Sequence, residues 1–400
     1  MQWPPCVVCF GGEDWWYHNR GHCDMQFMRS FSRHGRVLYI NSIVMRKFNV
    51  SEGKVFLHRM IRKTRSIFRG LVRVSDAFWV YSPVAAPVHH LSWARAANER
   101  LVREQVRGVL RCLRMHRPLI WVNCPAACDT ALALPRWRLV YQRTDRYEEH
   151  PGVDREQITR YDRTLRQRAD LTFYSNRQLY SHEVRDCRRA AYVEHGVDYE
   201  MFGYAARDPW VPAEVRNLRH PIAGFFGAID EHKFNVPLIT DVATRLSYVT
   251  FVFVGNASID CTALASLPNV VMVDQRPYEQ IPHYGKCFDV CIMPFQQNRW
   301  IDAFNPIKLK EYLALGKPVV TTAFGELKEY GSLVHIAVDA ASFAHAIGYA
   351  LANESPDAIK RRRDRAVRHS WSSKARQVLS MLQPDDSRGP SWDRTHAVGC

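Results

Sequence analysis

Short apolar runs alternate with longer amphipathic stretches along nearly the whole chain. In the first half the runs are Val7 to Phe10, Val37 to Asn41, Phe78 to Tyr81, Leu119 to Asn123, Leu139 to Gln142 and Leu171 to Ser175. In the second half they are Ile222 to Phe226, Thr250 to Val254, Val270 to Val273, Val290 to Met293, Val319 to Thr321 and Val334 to Ile336. Runs of this length and composition read as buried strands. Between them the spacing becomes helical: from Ser92 to His116, Trp93, Ala97, Leu101, Val106, Leu110 and Leu113 recur on one face, with arginines on the other. Alternation sustained over both halves predicts an α/β protein of two doubly wound parallel sheets. Each sheet would carry a ligand crevice at the carboxyl ends of its strands, with the active site in the cleft between them. Two prolines interrupt regular structure in Arg207-Asp208-Pro209-Trp210-Val211-Pro212, which places the boundary there: one domain over 1–205 and a second over 206–383. Residues 384–400, with Asp, Ser, Gly and Pro and little apolar content, are expected to form an unstructured tail.

Composition narrows the class. A chain of 400 residues, 46% hydrophobic and 24% charged, can build two or three proper cores as a soluble globular protein. No apolar stretch reaches the roughly 18 residues of a membrane span, and no signal core follows a basic start, so a cytosolic location is expected. The net charge of +15 favours an anionic partner: a nucleotide, an acidic saccharide, an anionic membrane surface or a nucleic acid. The eleven cysteines do not change this picture. Cys6 and Cys9 would point to opposite faces of a strand, and Cys124/Cys128 and Cys287/Cys291 lack partners at zinc-like spacing, so reduced, mostly buried thiols and no metal site are expected.

The most specific chemistry lies in NPIKLKEYLALGKPVVTT, Asn305 to Thr322. Asn305 can cap a helix with Pro306 in its first position, Lys308 then lies in the first turn, and Glu311 follows at i+3 on the same face. Free backbone N–H groups with Lys308 suit a diphosphate, and Glu311 can accept hydrogen bonds from vicinal ribose hydroxyls. Gly316 ends the helix before the next strand. Strand-end glycines offer further close approaches, at Gly11-Gly12, Gly227 and Gly255, but none has the spacing of a dinucleotide fingerprint, which disfavours nicotinamide and flavin cofactors. After Gly12, the loop aromatics Trp15, Trp16 and Tyr17 either stack on sugar faces or pack beneath the loop, and the imidazole of His18 follows them. Asp145, ending Val140-Tyr141-Gln142-Arg143-Thr144-Asp145, is either a general base or a cap or ion-pair partner of Arg143 or Arg146. In Glu194-His195-Gly196-Val197-Asp198, Gly196 permits a turn and His195 or Asp198 is placed to face the cleft. Lys233, in Asp230-Glu231-His232-Lys233, is a weaker phosphate candidate.

Read together, CFGGEDWW, VYQRTD, EHGVDYEMF, GFFGAID, LPNVVMVDQRPYEQIP, FDVCIMPF and NPIKLKEYLALGKPVV resemble the GT-B nucleotide-sugar glycosyltransferases of bacterial surface polysaccharide synthesis, including teichuronic-acid-type enzymes of the group 1 kind. The resemblance runs over roughly residues 6 to 350. It implies a donor site at Lys308 for the diphosphate, Glu311 for the ribose and Gly227 for the pocket wall, with Lys233 as a substitute for the basic residue usual after that glycine. Gly11, Gly12, Trp15, Trp16, His18 and His195 are the candidate acceptor or cleft-loop residues. Some enzymes of similar architecture that transfer acidic sugars end a strand in VYRxSD, whose Asp is the base, which makes Asp145 the leading catalytic candidate. Many retaining members carry E-x7-E. Here the first of those positions is Ala303, so retention and inversion both stay open.

Such enzymes act on lipid-linked acceptors, and the segment Arg59 to Arg73 suits an anionic bilayer: Arg59, Arg62, Lys63, Arg65, Arg69 and Arg73 are interleaved with Ile61, Ile67, Phe68 and Leu71. A second cluster, Lys360-Arg361-Arg362-Arg363, reads as solvent-facing. The expectation is a glycosyltransferase, peripheral at the inner face of the cell membrane, using a nucleotide sugar as co-substrate with no metal or other cofactor. The alternatives are a basic nucleic-acid-binding protein, disfavoured because the cations scatter over both halves and match no reader motif, and a catalytically silent scaffold of the same fold.

Overall fold

The apolar runs become strands, most of them within a residue or two of the expected bounds. The computed structural model describes residues 3–17, 21–43, 53–85, 92–149, 153–298, 301 and 306–383. Expectations about His18, Asn305, Ala303 and the segment 384–400 fall outside the described residues. The strands are β1 Cys6–Phe10, β2 Arg36–Ile40, β3 Leu71–Ser75, β4 Phe78–Tyr81, β5 Leu119–Val122, β6 Arg138–Arg143, β7 Leu171–Tyr174 and β8 Ala190–Tyr192 in the first half. In the second half they are β9 Ile222–Phe226, β10 Thr250–Val254, β11 Val270–Val273, β12 Val290–Met293, β13 Val319–Thr322 and β14 His335–Ala337.

Two separate sheets result, with orders β3-β4-β2-β1-β5-β6-β7-β8 and β11-β10-β9-β12-β13-β14. All described pairings are parallel except β3 with β4. Central strands such as β1, β5, β9 and β10 are buried at every position, as sheets covered by helices on both faces require. In both sheets the chain order reverses beside the first strand, β1 or β9, leaving a crevice at the carboxyl ends of the strands. Side chains that accept from a backbone N–H in the first turn start many of the helices, among them Asp154, Asn176, Asp198, Asn235, Asp339, Ser355 and Ser370.

Two features go beyond the sequence reading. Strand β3 overlaps the end of the segment read as a single basic stretch. Its residues are partly or fully exposed with an arginine at the centre, and a sheet edge of this kind gives no apolar run to read. The helix that precedes it, Gly53–Arg69, ends at Gly70 in the left-handed region (φ 58°). Packing, moreover, crosses the expected 205/206 boundary in both directions. Helix Tyr199–Ala205 contributes Phe202 to the core of the second sheet, while the last helix, Trp371–Leu382, crosses back and buries Trp371, Ala375, Val378, Leu379 and Leu382 against the first. No helix of the described residues is long and apolar enough to cross a membrane.

Candidate active site

The helix expected after Asn305 spans Ile307–Leu315, with Pro306 at its cap rather than in its first turn (φ −71°, ψ 123°). Gly316 closes it in the left-handed conformation at φ 81°, and the N–H groups of Gly316 and Lys317 return to the carbonyls of Leu313 and Tyr312 at 3.0 and 3.1 Å. Two arginines of helix Pro356–Arg368 complete this end: Arg362 Nε donates to Gly316 O at 2.8 Å and Arg363 to Leu315 O at 3.2 Å. The cluster read as solvent-facing therefore serves in part as a cationic stop at the negative end of the helix, with Arg362 buried. That role depends on contacts across some 46 residues, which spacing along one helix does not reveal.

At the opposite end the sequence-predicted residues come together. Lys308 is half-buried and its Nζ stands 4.4 Å from the centre of the Phe225 ring, at the end of β9. Gly227 follows at φ 138°, and a Cβ built there would run into the Lys308 ammonium. Gly255, after β10 at φ 152°, packs its missing Cβ against the carbonyl of Gly227. The two glycines thus give Lys308 a floor of bare backbone, the close approach that only glycine supplies. Lys233 sits nearby, with Nζ 3.3 Å from Asp230 Oδ2. Glu311, 6% exposed, receives the Tyr278 hydroxyl at 2.9 Å on Oε1.

Burial dominates the electrostatics here. It pushes the Lys308 ammonium down to about 8, a shift resisted by the Glu311 charge and deepened by Lys233. It pushes the Glu311 carboxyl up to about 7, against the Tyr278 hydrogen bond and the Lys308 charge. A cation and a carboxylate that are both short of hydration are poised for a ligand that brings an anion to one and hydroxyl donors to the other. Tyr278, within the run DQRPYEQ, is the residue the sequence reading passed over. It reaches Glu311 across 33 positions, so only a tertiary contact identifies it.

The first lobe contributes its own strand ends. A Cβ at Gly11 would strike the Tyr39 ring, and Gly12 N donates to Asp24 Oδ2 at 2.9 Å, the same oxygen that receives the Tyr39 hydroxyl at 2.9 Å. Trp15 is 4% exposed and packs on Tyr39 and Phe78 with ring centres 5.4 and 4.6 Å away, so of the two alternatives for this residue the structure gives packing beneath the loop. Trp16 is half-buried under the Arg69 guanidinium at 4.6 Å. Asp145 is exposed at the end of β6, where its Oδ1 accepts from Arg146 N at 2.8 Å. Arg143 is instead buried among Glu148, Asp162 and Glu183 at 3.0, 3.2 and 3.1 Å. Thr144 and Tyr147 share a hydrogen bond of 2.6 Å and the Tyr147 hydroxyl donates to Asn123, which faces Gly12; the ends of β1, β5 and β6 are thereby tied into one rim.

His195 lies in the junction between the lobes among Glu194, Lys310 and Lys374, where burial pushes its imidazole down to about 3. Gly196 beside it has no left-handed backbone to serve; it is glycine because a Cβ would come within 2.6 Å of the Trp371 ring. Asp198 caps helix Tyr199–Ala205 through Met201 N at 3.2 Å.

Comparison with known proteins places this geometry. Residues 220–353 match the family of glycosyl transferases group 1. Over 134 residues the chain is 34% identical to the putative teichuronic acid biosynthesis glycosyltransferase TuaH of Bacillus subtilis (strain 168), a match that spans 32% of this chain and 33% of that relative. Among solved structures, sucrose-phosphate synthase from Thermosynechococcus elongatus superposes with a TM-score of 0.61 at 17% identity, covering 95% of this chain and 98% of that one. Anabaena HepE in complex with UDP and glucose superposes with a TM-score of 0.57 at 14% identity, covering 95% and 99%. Identities this low speak for the fold, and the sequence match speaks for the lobe that holds Lys308 and Glu311. The chain thus has the GT-B fold, and residues 220–353 of its second lobe match the group 1 glycosyl transferases.

Proposed function

We propose that this protein is a glycosyltransferase that moves a sugar from a nucleotide diphosphate, of the UDP or GDP type, to a hydroxyl of a lipid-linked or growing polysaccharide acceptor. The observation that carries the reading is the placement of Lys308 over the bare backbone of Gly227, with Glu311 one turn further along the same helix face. In this reading the diphosphate lies on the glycine floor against the first N–H groups of helix Ile307–Leu315 and the Lys308 ammonium, with Lys233 at the edge, and no metal ion is called upon. Glu311, held by Tyr278, takes the ribose hydroxyls. The bond from the anomeric carbon to the diphosphate oxygen breaks, and Lys308 and the helix end meet the charge that develops on the leaving group. An inverting displacement uses Asp145, on the facing rim, to take the proton from the acceptor hydroxyl. The neighbours solved with UDP and with UDP-2-fluoro glucose make UDP sugars the first to test.

The acceptor side of the proposal rests on helix Gly53–Arg69. Lys63 turns inward to Ser42 O at 2.7 Å, and Ser66 is buried with Asn41 and Ser82, which fixes this helix to the rim through the Asn41 bond to Trp15 N. Its outer face presents Ile61 at 40% and Phe68 at 86% exposure, with Arg62, Arg65 and Arg69 beside them. Such a face seats on an anionic bilayer at the cytoplasmic side, which would bring a lipid-linked acceptor to the cleft. Flotation with vesicles containing anionic lipid tests this: the protein should float with them and lose that property in Phe68→Ala/Arg65→Glu, and equal flotation with neutral vesicles would refute a charge-assisted seat.

The donor reading is tested by thermal shift against a panel of nucleotides and nucleotide sugars. A UDP or GDP compound should raise the melting temperature by several degrees at saturating concentration, since a ligand bound only by the folded state stabilises it. No shift with any member of the panel would overturn it.

A further inference from the structure

The chain crosses between the lobes twice, and the two crossings are bonded to each other. Val197 N donates to His369 O at 2.9 Å and Trp371 N to Val197 O at 3.1 Å, while the Trp371 ring occupies the space that a Cβ on Gly196 would need. Against this seam lies a carboxylate with three basic neighbours. Glu194 stands 2.8 Å from His369 Nδ1, 3.3 Å from Lys310 Nζ and 3.7 Å from Lys374 Nζ, and the side chains of Glu194, Lys310 and Lys374 are 7, 1 and 9% exposed. Glu194 leaves the first lobe just after β8. Lys374 belongs to the last helix, which packs on the first lobe, and Lys310 belongs to the helix that carries Lys308 and Glu311.

Lys310 is two residues past Lys308, about 200° around a helix, so it points away from the crevice while Lys308 and Glu311 point into it. Each face of this short helix is engaged. Leu309 and Leu313 sit in the core of the second lobe, the Tyr312 hydroxyl receives Phe226 N at 3.2 Å, and Ile307 packs against the core of the first lobe. The Lys310 ion pair joins the back of the helix to Glu194 at the crossing. Burying charges of both signs is costly, and apolar residues of similar size serve stability as well or better, so such a cluster is poorly explained by stability and better explained by the need for one register.

We propose that Glu194 is a positioning residue of the transfer reaction: through Lys310 it fixes the rotation of the Lys308–Glu311 helix at the lobe junction, so that nucleotide binding and lobe position are coupled. The inference rests on the donor reading above. It assigns no contact with substrate to Glu194. What it requires is that weakening the Glu194–Lys310 pair loosens the grip on the diphosphate and ribose without slowing the chemical step once donor is bound.

Glu194→Gln and Lys310→Met, each in the full chain, provide the test, with UDP affinity by calorimetry and the donor KM and kcat read separately. Both variants are expected to weaken UDP binding and raise donor KM by about tenfold, the scale of a typical coupling between sites, with kcat essentially unchanged. The double variant should be no worse than either single one, since the two residues act through one contact. A fall in kcat with unchanged KM and UDP affinity, which a smaller folded fraction alone would give, overturns the proposal. So does unchanged UDP affinity in the folded variants, and so does failure of both variants to fold, which would make the pair purely structural. Lys308→Ala separates the two levels: if it too leaves UDP affinity unchanged, the donor reading has failed, whereas loss in Lys308→Ala with none in the Glu194 and Lys310 variants removes the hinge proposal alone.

Discussion

Asp145→Asn is expected to lower kcat by about 10²- to 10⁴-fold while leaving UDP affinity unchanged, the effect of removing a general base from an otherwise intact site. The side chain is exposed on the rim of the first lobe, so the substitution deletes no core contact, and asparagine can still accept from Arg146 N. Arg143 already has three carboxylate partners, so the variant does not unpair a buried cation. Steady-state rates with a chromatographic product assay, beside calorimetry with UDP, read the two quantities independently. Undiminished turnover would remove Asp145 from the mechanism and leave a front-side route without a protein base as the consistent alternative.

Lys308→Ala should weaken UDP binding by about 10- to 150-fold, which corresponds to the roughly 1.5–3 kcal/mol of a hydrogen bond to a charged group. The loss should shrink as salt is added, though less than for an exposed cation, because the ammonium is half-buried against Phe225 and Gly227. Glu311→Ala should also weaken binding, and UMP should be far less sensitive than UDP to the lysine change if the ammonium holds the second phosphate. Equal UDP affinity in wild type and Lys308→Ala would place the diphosphate elsewhere.

Much of this architecture was legible in the chain because parallel strands buried on both faces must be apolar at every position. That made β1, β5, β9, β10 and β12 plain. The donor helix was legible for a different reason. Lys308, Glu311 and Gly316 are constrained locally, by helix period and by the left-handed stop, so spacing alone brings the first two onto one face. What stayed hidden depends on contacts distant in sequence. Strand β3 is defined only by its neighbour β4, and Trp15 could not be assigned to sugar or core until Phe78 was seen beneath it. Tyr278 and the paired arginines at Gly316 gain meaning only through groups far along the chain. The seam between the lobes was hidden as well, because residues 193–198 look like a loop after a strand, when they are one half of a pairing whose other half is His369 to Trp371.

The return of the final helix to the first lobe means that neither lobe is a self-contained stretch of chain. A fragment stopping at 205 would expose the apolar trough that Trp371, Val378 and Leu382 now fill, while carrying Phe202 away from the core it belongs to. The carboxyl-terminal segment acts as a strap around the joint, so any hinge bending must flex two covalent connections side by side. Opening is thereby steered toward rotation about one axis rather than free separation.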